Sequence, residues 1–482
     1  MTIGPRFKEP IAIHNVSFSN RLLRSSVGGR TCNYDGTVTD VWKNFEKRFA
    51  DGGVGGIIST TFHVNKERLS PPQYPSIATA RHMLHLKQRL PEIQQGGRCR
   101  YIVQIGDPGY VTYSSLFAED EDGLSSSDGR DFGFGYNNRR RAMSTKQIEQ
   151  SIAEHAAAAL RARMAGADGI EITDGKGYLI HQFLNPAINR RQDDWGGSED
   201  GRFRLLAEIL KAVRSAVGKD FLVGVRLSGA DFNASPLLLA AGRWPPTLVS
   251  ATLRRGNDVN QMARYAKRMQ GVDYLHVVAG YGFPNPHDVA GAFPFEEIRI
   301  FFDSVRHLSG KARWRAAFAH FPLPVRALHW LTNLGWDPAY RSLSLANEIK
   351  KQLPSMTVIT NGTYETRESI DKGLEHCDMV SMARALIANP QLISAYLNND
   401  MDVPERERCT RCNRCVGRTT TGPLGCYDVS RFGGSNARMF EEIMKWNQPD
   451  CVAGEEDERV VVRQPMRECQ SSGISSPASM PH

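Results

Sequence analysis

The sequence holds no window of eighteen consecutive apolar residues, and its longest apolar stretch, around 236–242, is far too short to cross a bilayer. The opening MTIGPRFKEPIAIHN lacks the apolar core of a secretory signal. Basic residues outnumber acidic ones by only 60 to 52, a formal charge of +8, and only Arg139-Arg140-Arg141 is locally dense. Neither a basic stripe nor a recognisable nucleic-acid module accompanies that run, so nucleic acid is not an expected partner. The run reads first as a solvated loop and second as a contact to a phosphate-bearing substrate or NADPH. These absences predict a soluble cytoplasmic chain with no membrane partner.

What is present is a core. With 41% hydrophobic and 23% charged residues over 482 positions, the chain is globular rather than disordered. Eight short apolar runs stand at 22–27, 56–61, 101–105, 169–173, 221–227, 274–278, 356–360 and 379–383. Amphipathic stretches such as 145–165 and 202–217 separate them. Strands buried on both faces read as continuous apolar runs, so the pattern predicts an α/β fold, a (β/α)8 TIM barrel enlarged by loop insertions. The barrel is expected over 1–400, a short cysteine-rich extension over 401–446 and a disordered tail over 447–482. Three connections are long: 107–144, expected to be an active-site lid, then 232–260 and 280–346, the last carrying Trp314, Trp330 and Trp336.

Catalytic groups of such barrels sit at the C-terminal strand ends. The third run ends with Gln104, whose amide both donates and accepts. The fifth contains Arg226, a fixed charge inside an apolar strand that demands an anionic partner. The seventh and eighth end in Asn-Gly-Thr and Ala-Arg, so Gly362, Thr363, Ala383 and Arg384 have the layout of a phosphate site. Nine cysteines are unevenly spread; Cys409, Cys412, Cys415 and Cys426 form C-x2-C-x2-C-x10-C, which suggests metal before disulfide.

Three stretches, PIAI–x6–NRLLRSS, GADGIE–x5–GYLIHQFLNPAINRRQDDWGGS and SMARALIANP, resemble the Old Yellow Enzyme family of FMN-dependent oxidoreductases over about 8–430. The resemblance implies bound FMN reduced by NAD(P)H, hydride transfer from flavin N5 to an electron-poor alkene, and a proton from a tyrosine. It assigns Gln104 to the flavin pyrimidine, Arg226 to the N1 side, and Tyr178 to the proton donor. Ser25, Ser26 and Val27 align with the first-strand turn, although Ser26 stands where the family usually has proline; Thr61 aligns with the second strand end. Where many members carry a histidine pair that clamps the substrate carbonyl, this chain has Thr173 and Lys176, whose donors would replace it. His181 reads as packing or as support behind the site; Tyr281 and Phe283 as pocket lining or core; His287 as a substitute helper of the tyrosine. The cysteine segment is similar to the [4Fe-4S] segment of the dienoyl-CoA reductase and trimethylamine dehydrogenase branch, but no G-x-G-x-x-G follows a strand downstream, and ordinary reduced thiols are the alternative. The expected substrate is a small molecule with an electron-poor alkene; a homo-oligomer is compatible with the sequence. Rival readings are an oxidative amine or C–H dehydrogenase, and a barrel that has lost catalysis and only binds.

Overall fold

The computed structural model describes residues 5–68, 73–111, 123–131, 138–231, 256–280, 290–323, 326–327, 341–399, 401–419 and 421–448. Eight parallel strands form the centre: β1 (Leu22–Arg24), β2 (Gly56–Ile58), β3 (Arg100–Gly106), β4 (Gly169–Asp174), β5 (Leu222–Ser228), β6 (Tyr274–Val278), β7 (Thr357–Asn361) and β8 (Met379–Met382). Each pairs with the next. The sheet closes where β8 meets β1 with Val380 opposite Leu22, and β3 bridges β2 and β4. All eight coincide with the apolar runs to within a few residues.

Helices wrap the strands: α1 (Asp40–Asp51), α2 (Ala80–Gln94), α3 (Thr145–Met164), α4 (Glu199–Val217), α5 (Val259–Arg268), α6 (Arg341–Gln352), α7 (Arg367–His376) and α8 (Leu392–Asn398). Their starts are written in the sequence. Thr39, Thr79, Ser144, Ser198, Asp258 and Thr366 each accept a hydrogen bond from a backbone N–H in the first turn, satisfying donors that the helix itself cannot.

Strand alternation sorts the barrel interior into layers. At the lower end Leu23, Ile58, Ile102, Leu222, Ile359 and Met379 point inward. A hairpin of Ile11–Ile13 and Val16–Phe18, paired with Ile11 opposite Phe18, plugs that end with Ile13, Val16 and Phe18. One inward step up the strands, the layer becomes polar: Gln104, Glu171, His276 and Ser381 are all buried.

The expected lid carries a three-stranded sheet of Gly123–Ser125, Gly129–Asp131 and Asn138–Ala142. This corrects the reading of the arginine run. Arg139 and Arg141 are exposed, but Arg140 is buried, with its guanidinium 5.8 Å from the Tyr110 ring centre. It is packing for the lid, because a stem that long can bury its carbons while the charge rests on an aromatic face. The 280–346 insertion contributes helices Phe295–Val305 and Gly310–Ala319, with Trp314 80% exposed. Tyr281, Phe283, His287, Trp330 and Trp336 lie outside the described residues.

One compact unit runs to about residue 449 and includes the cysteine segment, which is therefore part of the barrel body; the unit 450–482 lies outside the described residues. The last described helix, α9 (Asn436–Lys445), brings Trp446 over α1. There the Arg48 guanidinium lies 4.3 Å, 4.7 Å and 5.7 Å from the ring centres of Phe45, Phe49 and Trp446. Burial, with Arg24 nearby, lowers its pKa to about 9. Among the described residues no helix is long and apolar enough to cross a membrane.

Candidate active site

The polar layer is one connected network at the upper end of the barrel. Gln104 Nε2 donates to Glu171 Oε1 (2.7 Å), and its Oε1 accepts from the hydroxyls of Ser26 (3.1 Å) and Thr61. Glu171 also accepts from His276 Nδ1 (3.0 Å) and the Tyr274 hydroxyl (3.2 Å). His276 Nε2 faces the Ser381 hydroxyl at 2.8 Å, and Asn361 Nδ2 donates to Ser381 (3.2 Å) and to Ser25 Oγ (2.6 Å). Seven of the eight barrel strands or their ends thus contribute to one web. Burial alone would raise the Glu171 pKa, but His276, Arg226 and the Gln104 hydrogen bond outweigh it and hold the carboxyl below its ordinary range. Burial lowers that of His276, which stays a neutral donor to Glu171.

Above this web stand Thr173 and Arg226, in register on β4 and β5. Gly106 makes room for Thr173: a Cβ there would lie 2.2 Å from the threonine methyl. Arg226 is only partly exposed, and its Nε is buried with no hydrogen-bond partner among the described residues. Burial lowers its pKa, while the charge of Glu171 opposes that shift. Glu171 acts on it electrostatically, with no ion pair between the two among the described residues. Tyr178 is half-buried at the turn after β4; burial raises its pKa and Arg226 counters.

The Tyr178 turn is held from behind. Gly177 N–H donates to His181 Nδ1 (3.0 Å), so the His181 proton sits on Nε2 and is donated to Asp231 Oδ1 (2.6 Å). Gln182 Nε2 donates to the Gly177 carbonyl at 2.7 Å. His181 is thus a positioning residue. Lys176 adopts a left-handed backbone (φ 58°), and its Nζ donates to the Ala279 carbonyl at 2.6 Å, so the ammonium is turned toward the end of β6. Asp174, on the outer face of β4, is buried with neither carboxyl oxygen bonded among the described residues. Burial and neighbouring Asp231 push its pKa well up.

The remaining predicted residues divide. Val27 is buried, and Ser25 uses its N–H on the Met382 carbonyl (2.8 Å). Gly362, Thr363, Ala383 and Arg384 sit together just past β7 and β8, with Arg384 Nη1 bonded to Ala290 O (2.5 Å) and to Asn413 Oδ1. Asn413 belongs to the cysteine segment, which therefore buttresses this corner. Among the described residues no three His, Cys, Asp or Glu side chains form a metal-holding group, yet Cys409, Cys412 and Cys426 all lie near enough to Cys415 to act on it electrostatically. Cys415 and Cys426 pack against the core, burial pushes Cys409 up to about 11 and raises Cys415, and all four are free. Sequence reasoning missed Glu171, His276, Asn361, Ser381 and Asp174. A charge inside an apolar strand was the available signal for Glu171.

Residues 7–265 match the NADH:flavin oxidoreductase / NADH oxidase family. N,N-dimethylglycine/sarcosine dehydrogenase of Chromohalobacter salexigens is 26% identical over 88% of this chain and 52% of its own length. NADH oxidase of Thermoanaerobacter brockii is 26% identical over 86% and 54%. The chain spans about half the length of these curated relatives. A solved 2-naphthoyl-CoA reductase shares the fold with a TM-score of 0.69 at 21% identity, over 90% of this chain and 59% of that one.

Proposed function

The chain belongs to the NADH:flavin oxidoreductase / NADH oxidase family, with FMN as cofactor, and from that premise we propose that it reduces an activated C=C bond of a small molecule at the expense of NAD(P)H. One observation carries the reading: Arg226 presents a buried, unbonded Nε at the barrel mouth, one inward step above the layer of Gln104 and within electrostatic reach of Tyr178. That donor set suits the flavin pyrimidine. Bound there, FMN would supply the two-electron hydride chemistry. Gly362, Thr363, Ala383 and Arg384 would hold its phosphate, and Ser25, Ser26, Val27 and Thr61 the strand-end side of the ring. Tyr178, kept protonated by its burial, holds the proton destined for the substrate carbon. Arg226 lowers the cost of the phenolate left behind. Thr173 and Lys176 would place donors on the substrate's electron-withdrawing oxygen, with Lys176 sharing its ammonium with Ala279.

The test is Tyr178→Phe in the FMN-loaded protein. Flavin reduction by NAD(P)H should persist while alkene turnover collapses; parallel loss of both would reduce Tyr178 to a structural role. A second reading, an oxidative dehydrogenase of N-methylated amines, is favoured by the name of the Chromohalobacter relative. Anaerobic titration separates the two: bleaching of the flavin by sarcosine but not by NADPH would select the dehydrogenase.

A further inference from the structure

Glu171 is bonded by three side chains of the upper barrel, and no part of the proposed chemistry uses it. It is wholly buried, with Gln104, His276 and Tyr274 all donating to it. The sequence makes room for that arrangement. A Cβ at Gly224 would lie 2.0 Å from the Tyr274 ring, so only a glycine on β5 lets Tyr274 lie across the barrel and reach the carboxylate.

Two consequences follow from its position. With Nε2 committed to Glu171, the Gln104 amide has its oxygen turned toward Ser26 and Thr61 at the ends of the first two strands. An amide free to flip would present either end to a ligand; a carboxylate only accepts and can pair with the N–H end of the amide alone, so this one cannot flip without losing its bond. Glu171 also faces Arg226 electrostatically, so the arginine's positive charge is not alone at the mouth. Opposite fixed charges in a site shielded from water partly cancel at any third charge placed beside them.

We propose that Glu171 is a positioning residue of the flavin site: its carboxylate fixes the Gln104 amide, offsets the Arg226 charge, and thereby sets the reduction potential of the bound flavin. The proposal rests on the reading that the flavin pyrimidine meets Gln104 and Arg226. Two-electron reduction adds negative charge to that ring. Arg226 favours reduction and Glu171 opposes it.

The experiment compares the potential of the FMN-loaded parent with that of Glu171→Gln by anaerobic titration against a reference dye. Removing the charge while keeping the shape should shift the reduction equilibrium at least tenfold toward the reduced form, about 30 mV for a two-electron couple. An unchanged or lowered potential overturns the proposal. Glu171→Asp keeps the charge but withdraws it from Gln104 by one methylene. It should weaken FMN binding about tenfold and leave the potential within a few-fold of the parent equilibrium. If Glu171→Gln does not fold, unaltered FMN affinity in Glu171→Asp overturns the proposal instead. A parent that takes up no FMN sinks the reading of the site itself. A parent that binds FMN beside variants indistinguishable from it sinks only the role of Glu171.

Discussion

At its lower end the barrel interior is filled by Leu23, Ile58, Ile102, Leu222, Ile359 and Met379 and stoppered by Phe18 of the hairpin. One inward step along the same strands, the interior is Gln104, Glu171, His276 and Ser381, all buried and all hydrogen-bonded. The backbone ladder runs unbroken through both layers, so the difference lies in side chains alone. Apolar contacts below need only shape and volume, whereas each polar group above needs a specific partner to offset its desolvation. The lower layer can therefore carry stability, and the upper layer is free to hold charges that chemistry needs and folding does not.

Perturbations of the two layers should separate stability from chemistry. The largest expected effect is Phe18→Ala, which opens a cavity in the plug and should cost about 3–5 kcal/mol in urea unfolding. The folded fraction should keep its full flavin content; loss of FMN from still-folded protein would break the division between the ends. Next, Tyr178→Phe should lower alkene turnover at least about a hundredfold, with the unfolding midpoint nearly unmoved. Arg226→Gln should shift the flavin equilibrium about tenfold toward the oxidised form, opposite in sign to Glu171→Gln. Equal signs would mean that the two residues do not act as charges. The smallest effect is Asp174→Asn. The native state keeps a proton on Asp174 that the unfolded chain releases above its ordinary pKa of 3.8. Stability contributed by this group therefore falls as pH rises from about 4, and is restored below it. The variant should melt about a degree higher at pH 7 and converge with the parent in acid. A lower melting temperature at pH 7 would show that the carboxyl itself is needed.

Legibility in the sequence followed the same division. Parallel strands buried on both faces betray themselves as apolar runs, and all eight barrel strands were visible that way. The plug was not: Ile11–Phe18 alternates over too few residues to distinguish a hairpin from a loop. Arg226 stood out because an arginine within an apolar strand must be paired. Glu171 gave the same signal in GIEIT, but a glutamate with no visible counter-charge reads as an edge residue. Only closure of the barrel places β3, β4, β6 and β8 around one carboxylate. For the arginine run, composition could not tell that the middle residue faces inward.

The stacking of Arg48 beneath Trp446 links the first helix of the barrel to the last described one. On a ribosome the first helix emerges long before its cover. Until Trp446 arrives, that guanidinium has the Phe45 and Phe49 rings of its own helix on one side and water on the other. A nascent chain that stops short keeps a hydrated charge at its oldest helix, a flaw by which an unfinished molecule differs from a finished one.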